Sequence, residues 1–408
     1  METIGNWSEI GERVAEARRA AGMSQGELAV RLGLDRTMLV RIESGERKIS
    51  AVELFRLAEA LGVPAAHFVT RPPAPLVSRR HSLDEDADGA SRARFRFDAL
   101  LEAHARDAQW LIGEGFLVPP PAPTRPEGLV DPGALAQAAR ATIGRPGGPL
   151  GGVARVAEQF GLYLLSVDAE GEGASLLLDG FGVAVVGGRA APGRRRWTAA
   201  HELGHHLLQD EYHSDLSVAA GRDEREELID RFAEELLIRD ADLREEWRNR
   251  GQDVGPRTFL IEIAARYRIS WGAVVHKAAR LGLVSSAQAR QLRADTPTRG
   301  DLLSVHGAEP VEDLTVGTTG PQWRRAVLDA WAGGDVTGPR AVELLHGAIT
   351  VDDLPLRRLE EPAPWRLPRP ARPSWSGTPR PCSMRSRPTA STSWPTSLGN
   401  GRGPSAVT

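Results

Sequence analysis

Two neighbouring stretches decide how this chain reads: RWTAAHELGHHLLQ (Arg196–Gln209) and EREELIDRFAEELLIRD (Glu224–Asp240). The first contains His201-Glu202-Leu203-Gly204-His205. Trp197, Ala200, Gly204, Leu207 and Leu208 recur at helical spacing, so the stretch is predicted to be a helix with an apolar stripe. Residues four apart on a helix lie one above the other on one face. His201 and His205 can therefore reach one tetrahedral ion, with Zn–N near 2.0–2.1 Å. Glu202 follows the first of them and falls beside the open coordination position, where hydrolysis needs a general base for water. Gly204 is small enough to let another helix pack closely.

A catalytic zinc site needs a third protein ligand. In the second stretch Leu228, Ile229, Phe232, Ala233, Leu236 and Leu237 again recur at helical spacing. Glu226 and Asp230 lie four apart on the edge of that stripe. Glu226 is assigned as the third ligand, with His213 as a loop alternative. Asp230, one turn on, is placed to hydrogen-bond a ligand imidazole and set its tautomer. Glu224 and Glu227 point elsewhere on such a helix. Arg194, Arg195 and Arg196 read as a solvated basic turn, and His276 as a surface or packing residue.

The pattern T-x-A-H-E-L-G-H, then about twenty residues, then E-x-x-x-D-x-F-A-x-x-L-L resembles the ImmA/IrrE family of zinc metallopeptidases. The resemblance implies zinc held by His201, His205 and Glu226, with Glu202 as base. Two positions depart from it: Ile229 stands where the family usually has Ala, and Arg239-Asp240 where it usually has Pro.

The length of 408 residues predicts two or three domains. A net charge of −3 gives no global basic character that would point to nucleic acid. Basic residues are almost all Arg; Lys48 and Lys277 are the exceptions. A single cysteine, Cys382, excludes an internal disulfide framework and a cysteine zinc site. The opening METIGNWSEIGERV does not read as a signal peptide, and no run of 18 apolar residues occurs. A cytoplasmic protein without membrane contact is expected.

Residues 1–70 read as short capped helices. Ile10, Val14 and Ala17 mark the first, ended by Gly22. Ser24 to Glu27 and Ser50 to Glu53 are capping boxes. Gly33 makes the turn before a third helix that Asp35 would cap. Helix, short glycine turn, helix is the helix-turn-helix arrangement. MSQGELAVRLGLDRTMLVRIESGERKIS resembles the Cro/C1-type (XRE) repressors. That resemblance implies a third helix lying in the major groove, with Arg36, Thr37 and Arg41 reading bases and Gln25 contacting a phosphate. Arg47 and Lys48 are expected as further phosphate partners.

Residues 71–125 read as a linker with one helix, through Phe95, Leu101 and Leu111, and PPPAPTRP (Pro119–Pro126) as a stiff spacer. In 126–295, the metallopeptidase domain, helices at Asp131–Ile143 and Val153–Phe160 precede a strand at Leu162–Val167 and a hairpin across Asp179-Gly180. A helical pair follows after Pro256. Residues 296–358 read as a small helical region. Residues 359–408, rich in Pro and Arg, read as a disordered tail. The fold expected is mainly α with a small β-sheet (α+β): an all-α helix-turn-helix domain, then a zincin-like domain. The function expected is a DNA-binding regulator whose zinc endopeptidase hydrolyses a repressor or antitoxin-like protein in response to a signal. The alternative is a non-catalytic transcription factor whose metal domain senses an effector. Partners are operator DNA and a protein substrate, and a homodimer is compatible with both readings.

Overall fold

The computed structural model describes residues 4–70, 89–123, 131–170, 173–209 and 219–357. His213, residues 71–88 of the linker, the end of the proline spacer, Cys382 and the tail from 358 on lie outside the described residues.

The N-terminal part is built from α1 (Trp7–Ala20), α2 (Gln25–Leu32), α3 (Arg36–Glu43), α4 (Ala51–Leu61) and the short α5 (Ala66–Val69). Ser24 and Ser50 form both hydrogen bonds of a capping box, with Glu27 and Glu53. Gly33 and Gly62 end α2 and α4 in the left-handed region that glycine enters without a Cβ clash. Asp35 stands at the N-cap of α3 but makes no side-chain cap hydrogen bond. Val14, Leu28, Leu39, Ile42, Leu57 and Phe68 form the core of this bundle.

A 25-residue helix, α6 (Gly89–Gly113), leaves that bundle and crosses the next layer. Phe95 and Ala99, near its start, belong to the N-terminal core, whereas Leu101, Ala105, Ala108 and Leu111 pack on the sheet. The junction is polar and buried. Glu102 of α6 accepts from Arg13 of α1 at 3.2 and 3.3 Å and from Arg106 at 2.6 Å, and His67 Nδ1 lies 3.3 Å away.

The remaining described helices are α7 (Pro132–Thr142), α8 (Val153–Glu158), α9 (Pro192–Leu208), α10 (Ala219–Leu237), α11 (Asp240–Asn249), α12 (Pro256–Tyr267), α13 (Trp271–Arg280), α14 (Ser286–Ala294), α15 (Arg299–His306), α16 (Pro321–Gly333) and α17 (Gly338–Leu344). Three strands, β1 (Leu162–Val167), β2 (Gly173–Leu178) and β3 (Phe181–Gly187), form a sheet in the order β1-β3-β2. β1 runs parallel to β3, and β2 and β3 make an antiparallel hairpin turning at Gly180. Alternate residues serve opposite layers, as the period of two requires. Leu162, Leu164, Ala184 and Val186 join the core under α9. Tyr163, Leu165, Val183 and Val185 face α6 and α16. Burial on both faces explains why β1 is apolar at every position but Ser166, whose hydroxyl donates to Leu314 O at 2.6 Å. The outer edge of β1 is closed by a later segment: Ser166 N donates to Thr318 O at 2.9 Å, and Gly317 N donates to Ser166 O at 2.8 Å. β2 is the other edge, and beyond it no further strand lies among the described residues.

The architecture is therefore α+β and predominantly helical, with a helix-turn-helix bundle ahead of a small mixed sheet and its helices. Arg239 and Asp240 open a separate helix, α11, which periodicity alone did not reveal. Asp240 then pairs with Lys277 at 2.8 Å and Arg231 at 2.6 Å, tying α10 to α13.

Candidate metal centre and DNA-facing helix

α9 carries the histidines, and α10 runs antiparallel beside it. Gly204 makes this approach possible: a Cβ there would lie 2.9 Å from Ile229 Cγ2 and 3.0 Å from Phe232 Cδ1. The bulky Ile229 thus fills the space that glycine leaves open.

His201 Nε2 and His205 Nε2 lie 3.1 Å apart, and Glu226 Oε2 lies 3.3 Å from the first and 3.9 Å from the second. Donors on a tetrahedron with bonds of 2.0–2.1 Å sit about 3.3–3.4 Å apart. The three side chains converge on such a geometry, and they form a His/Glu cluster able to hold a metal ion. Asp230 Oδ1 lies 2.9 Å from His201 Nδ1. With the proton on Nδ1, Nε2 keeps its lone pair for a ligand bond. Burial disfavours a charged His201, but Glu226, Glu202 and Asp230 outweigh it and hold its pKa above the ordinary imidazole value.

Glu202 is buried, and its Oε2 has no hydrogen-bond partner among the described residues. An unpartnered carboxylate oxygen beside a donor cluster is costly unless it faces water or substrate. The donor set and this oxygen fit a hydrolytic metal site. The first residue of β2 reaches the same place: a Cβ on Gly173 would lie 3.2 Å from Glu202 Oε1. Glu224 and Glu227 are exposed and take no part.

Two features escaped sequence reasoning. Arg195 and Arg196 do not form a solvated turn; both are buried. Arg195 donates to Gly188 O at 2.7 Å and to Glu312 at 2.9 Å, and Arg196 pairs with Asp313. Their acidic partners stand more than a hundred residues away, where no local pattern signals them. His206, next to the second histidine, is structural. Its Nε2 lies 2.7 Å from Phe160 O, and burial lowers its pKa. A Cβ on Gly182 would collide with its ring, so that glycine makes its room. Arg194 does reach the site face. Its guanidinium stacks 4.6 Å over Trp197, whose ring lies 5.0 Å from that of His201.

In the N-terminal bundle Arg36, Thr37, Arg41 and Lys48 are exposed. They lie on α3 and just beyond it. Arg41 has only a loose contact with Glu46, at 3.6 Å. Arg47 donates to Glu53 at 2.7 Å. Gln25 donates its amide to Glu43 at 2.8 Å, within a network in which Arg18 also pairs with Glu43 at 2.6 Å. That network fixes α2 against α3.

Fold and site together define a helix-turn-helix protein that carries a domain of metallopeptidase type. Residues 14–68 match the helix-turn-helix family model, and residues 157–279 match the M78 peptidase model described as IrrE N-terminal-like domain. Among curated proteins the chain is similar to the uncharacterized HTH-type transcriptional regulator y4dJ of Sinorhizobium fredii, 36% identical over 61 residues. That match covers 15% of this chain and 79% of the relative. It is also similar to an uncharacterized transcriptional regulator in the ATPase CF(0) region of Rhodospirillum rubrum, 36% identical over 61 residues, or 15% of this chain and 56% of that protein. No solved structure matches. The chain belongs to the helix-turn-helix transcriptional regulators, with an IrrE-like M78 domain behind the DNA-binding module. The helix-turn-helix implies DNA as a partner. Among the described residues no helix is long and apolar enough to cross a membrane.

Proposed function

We propose that this regulator cuts a regulatory protein at a zinc centre while its N-terminal domain, residues 1–70, holds operator DNA. The observation that carries this reading is the unpartnered Glu202 Oε2 beside the converged His201, His205 and Glu226. Bound zinc would polarise a carbonyl and lower the pKa of a water toward 7. Glu202 Oε2 takes a proton from the attacking water and delivers it to the leaving amine. Asp230 holds the His201 ring through Nδ1. A substrate segment adds as a strand along the outer edge of β2, whose first residue abuts Glu202. On the DNA side Arg36, Thr37 and Arg41 read base edges, Gln25 and Arg47 meet phosphates once their carboxylate contacts are exchanged, and the exposed Lys48 meets one directly. Residues 126–295 serve as the metallopeptidase domain.

Metal analysis tests the site: about one zinc per chain is expected. His201→Ala and Glu226→Ala each lose it, whereas Glu202→Gln keeps it. Full retention in Glu226→Ala would move the third ligand to His213 or a neighbouring acid. Mapping of new protein N-termini in cells tests the reaction. Termini that appear with the natural chain and vanish with Glu202→Gln support hydrolysis. An unchanged regulatory response in Glu202→Gln, with loss in Arg41→Ala, makes the protein a transcription factor with a metal-bearing sensor domain.

A further inference from the structure

The α9–α10 seam continues beyond the metal cluster. His205 faces Glu226, and His201 faces Asp230. One turn further on, Trp197 and Glu234 line a cavity of about 310 Å³ together with Gly193, Ile238, Ile269 and Ala273. Such a volume lies at the small end of the range for ligand pockets, roughly 300–1,000 Å³.

The walls are chemically specific. Trp197, Leu237, Ile238, Ile269 and Ala273 supply apolar surface. The charged groups are already compensated. Lys277 Nζ pairs with Glu235 at 2.7 Å and Asp240 at 2.8 Å, and Glu234 pairs with Arg231 at 2.8 Å and Arg280 at 3.1 Å. Arg194 stacks on Trp197. A charged side chain entering here would lose its hydration without gaining a free counter-charge, whereas an apolar one would lose only water.

We infer that this cavity is the pocket that selects the peptide, taking a bulky aliphatic or aromatic side chain next to the bond that is cut. The inference rests on the peptidase reading above. Position supports it. Trp197 stands one helical turn from His201, about 6 Å along the axis. An extended peptide advances about 3.3 Å per residue. The Trp197 wall of the pocket is therefore one to two residues from the metal cluster, and its ring lies 5.0 Å from that of His201.

Ala273→Trp, at an exposed position in the first turn of α13, places an indole in the pocket without touching a metal ligand. Gly272→Phe is the second variant, since a Cβ there meets nothing within 4 Å. The zinc-loaded full chain is given a pool of decapeptides carrying Ala, Leu, Phe, Asp or Lys at one position, and cuts are read by mass spectrometry. Leu and Phe beside the cut are expected to exceed Ala by about tenfold or more. Both variants should bring that advantage within about twofold while still cutting the Ala peptides. An undiminished Leu and Phe advantage in the variants overturns the inference and leaves the peptidase reading standing. If the natural chain cuts no peptide, the peptidase reading fails, and binding decides the pocket. N-acetyl-phenylalanine amide, followed by saturation-transfer NMR on full-length Glu202→Gln, should give a signal that Ala273→Trp abolishes and that N-acetyl-alanine amide never shows. Equal signals in both backgrounds overturn the pocket.

Discussion

The closeness of α9 and α10 can be tested at one position. Gly204→Ala would put a Cβ 2.9 Å from Ile229 Cγ2 and 3.0 Å from Phe232 Cδ1. Favourable carbon contacts lie at about 3.5–4.0 Å, so the seam must open by roughly half an ångström to one ångström there. Alanine gains about 1 kcal/mol of helix propensity over glycine. Overpacking costs about 1–3 kcal/mol. The net expectation is a loss of about 1 kcal/mol. The larger effect should fall on the metal. Opening the seam at residue 204 moves the ligand Glu226 and its neighbour Asp230 away from His201, and disturbing an outer partner such as Asp230 alone costs about 10- to 100-fold in metal affinity. Ile229→Ala alone should cost about 2–5 kcal/mol through the cavity it leaves. Combined with Gly204→Ala, part of that cavity is filled, so the pair should fall short of additivity by about 1 kcal/mol or more. The assays are urea unfolding and zinc competition against a chelator, on all four forms. Additivity within about 0.5 kcal/mol, with unchanged zinc affinity, would refute the idea that Gly204 exists to seat Ile229.

Further outcomes follow from other sites. Glu102→Ala removes the carboxylate that Arg13 and Arg106 share at the buried junction of α1 and α6 and should destabilise the chain by about 3–5 kcal/mol, measured by urea unfolding. A cost below about 1 kcal/mol would mean that the guanidinium groups reach water or other acids. His104 and His346 flank Trp323 and are held neutral by burial, with pKa values lowered to about 3 and about 4. Unfolding lets both take up protons below pH 6.5, so their contribution is complete above that value and is lost as the pH falls toward 4 and then 3. Each should add about 1.4 kcal/mol per pH unit to the acid slope of stability, and His104→Gln should remove its share. On DNA, Arg41→Ala should cost about 1–3 kcal/mol and relax sequence preference, whereas Lys48→Ala should weaken all sequences alike and lower the salt slope. Titrations at several salt concentrations separate the two.

The chain alone determined whatever depends on neighbours along it. The capping boxes at Ser24 and Ser50, the left-handed glycines, the strands and the pairing of His201 with His205 are set within about four residues, where helical and extended periods constrain side-chain direction. Asp230 beside His201 was legible too, because the acidic helix shows its own four-residue spacing. Contacts between distant segments were decided only in three dimensions. Arg195 and Arg196 read as solvated, because nothing nearby in sequence announces Glu312 and Asp313. Gln25 read as a phosphate contact, and only the packing of α3 shows Glu43 against it. The helix within 71–125 was visible, but not that one buried carboxylate on it would gather Arg13, His67 and Arg106. The cavity beside Trp197 draws its walls from α9, α10 and α13 with the turn that precedes it. A void between three separate elements leaves no trace in the periodicity of any one of them, because packing is a property of the assembled surfaces.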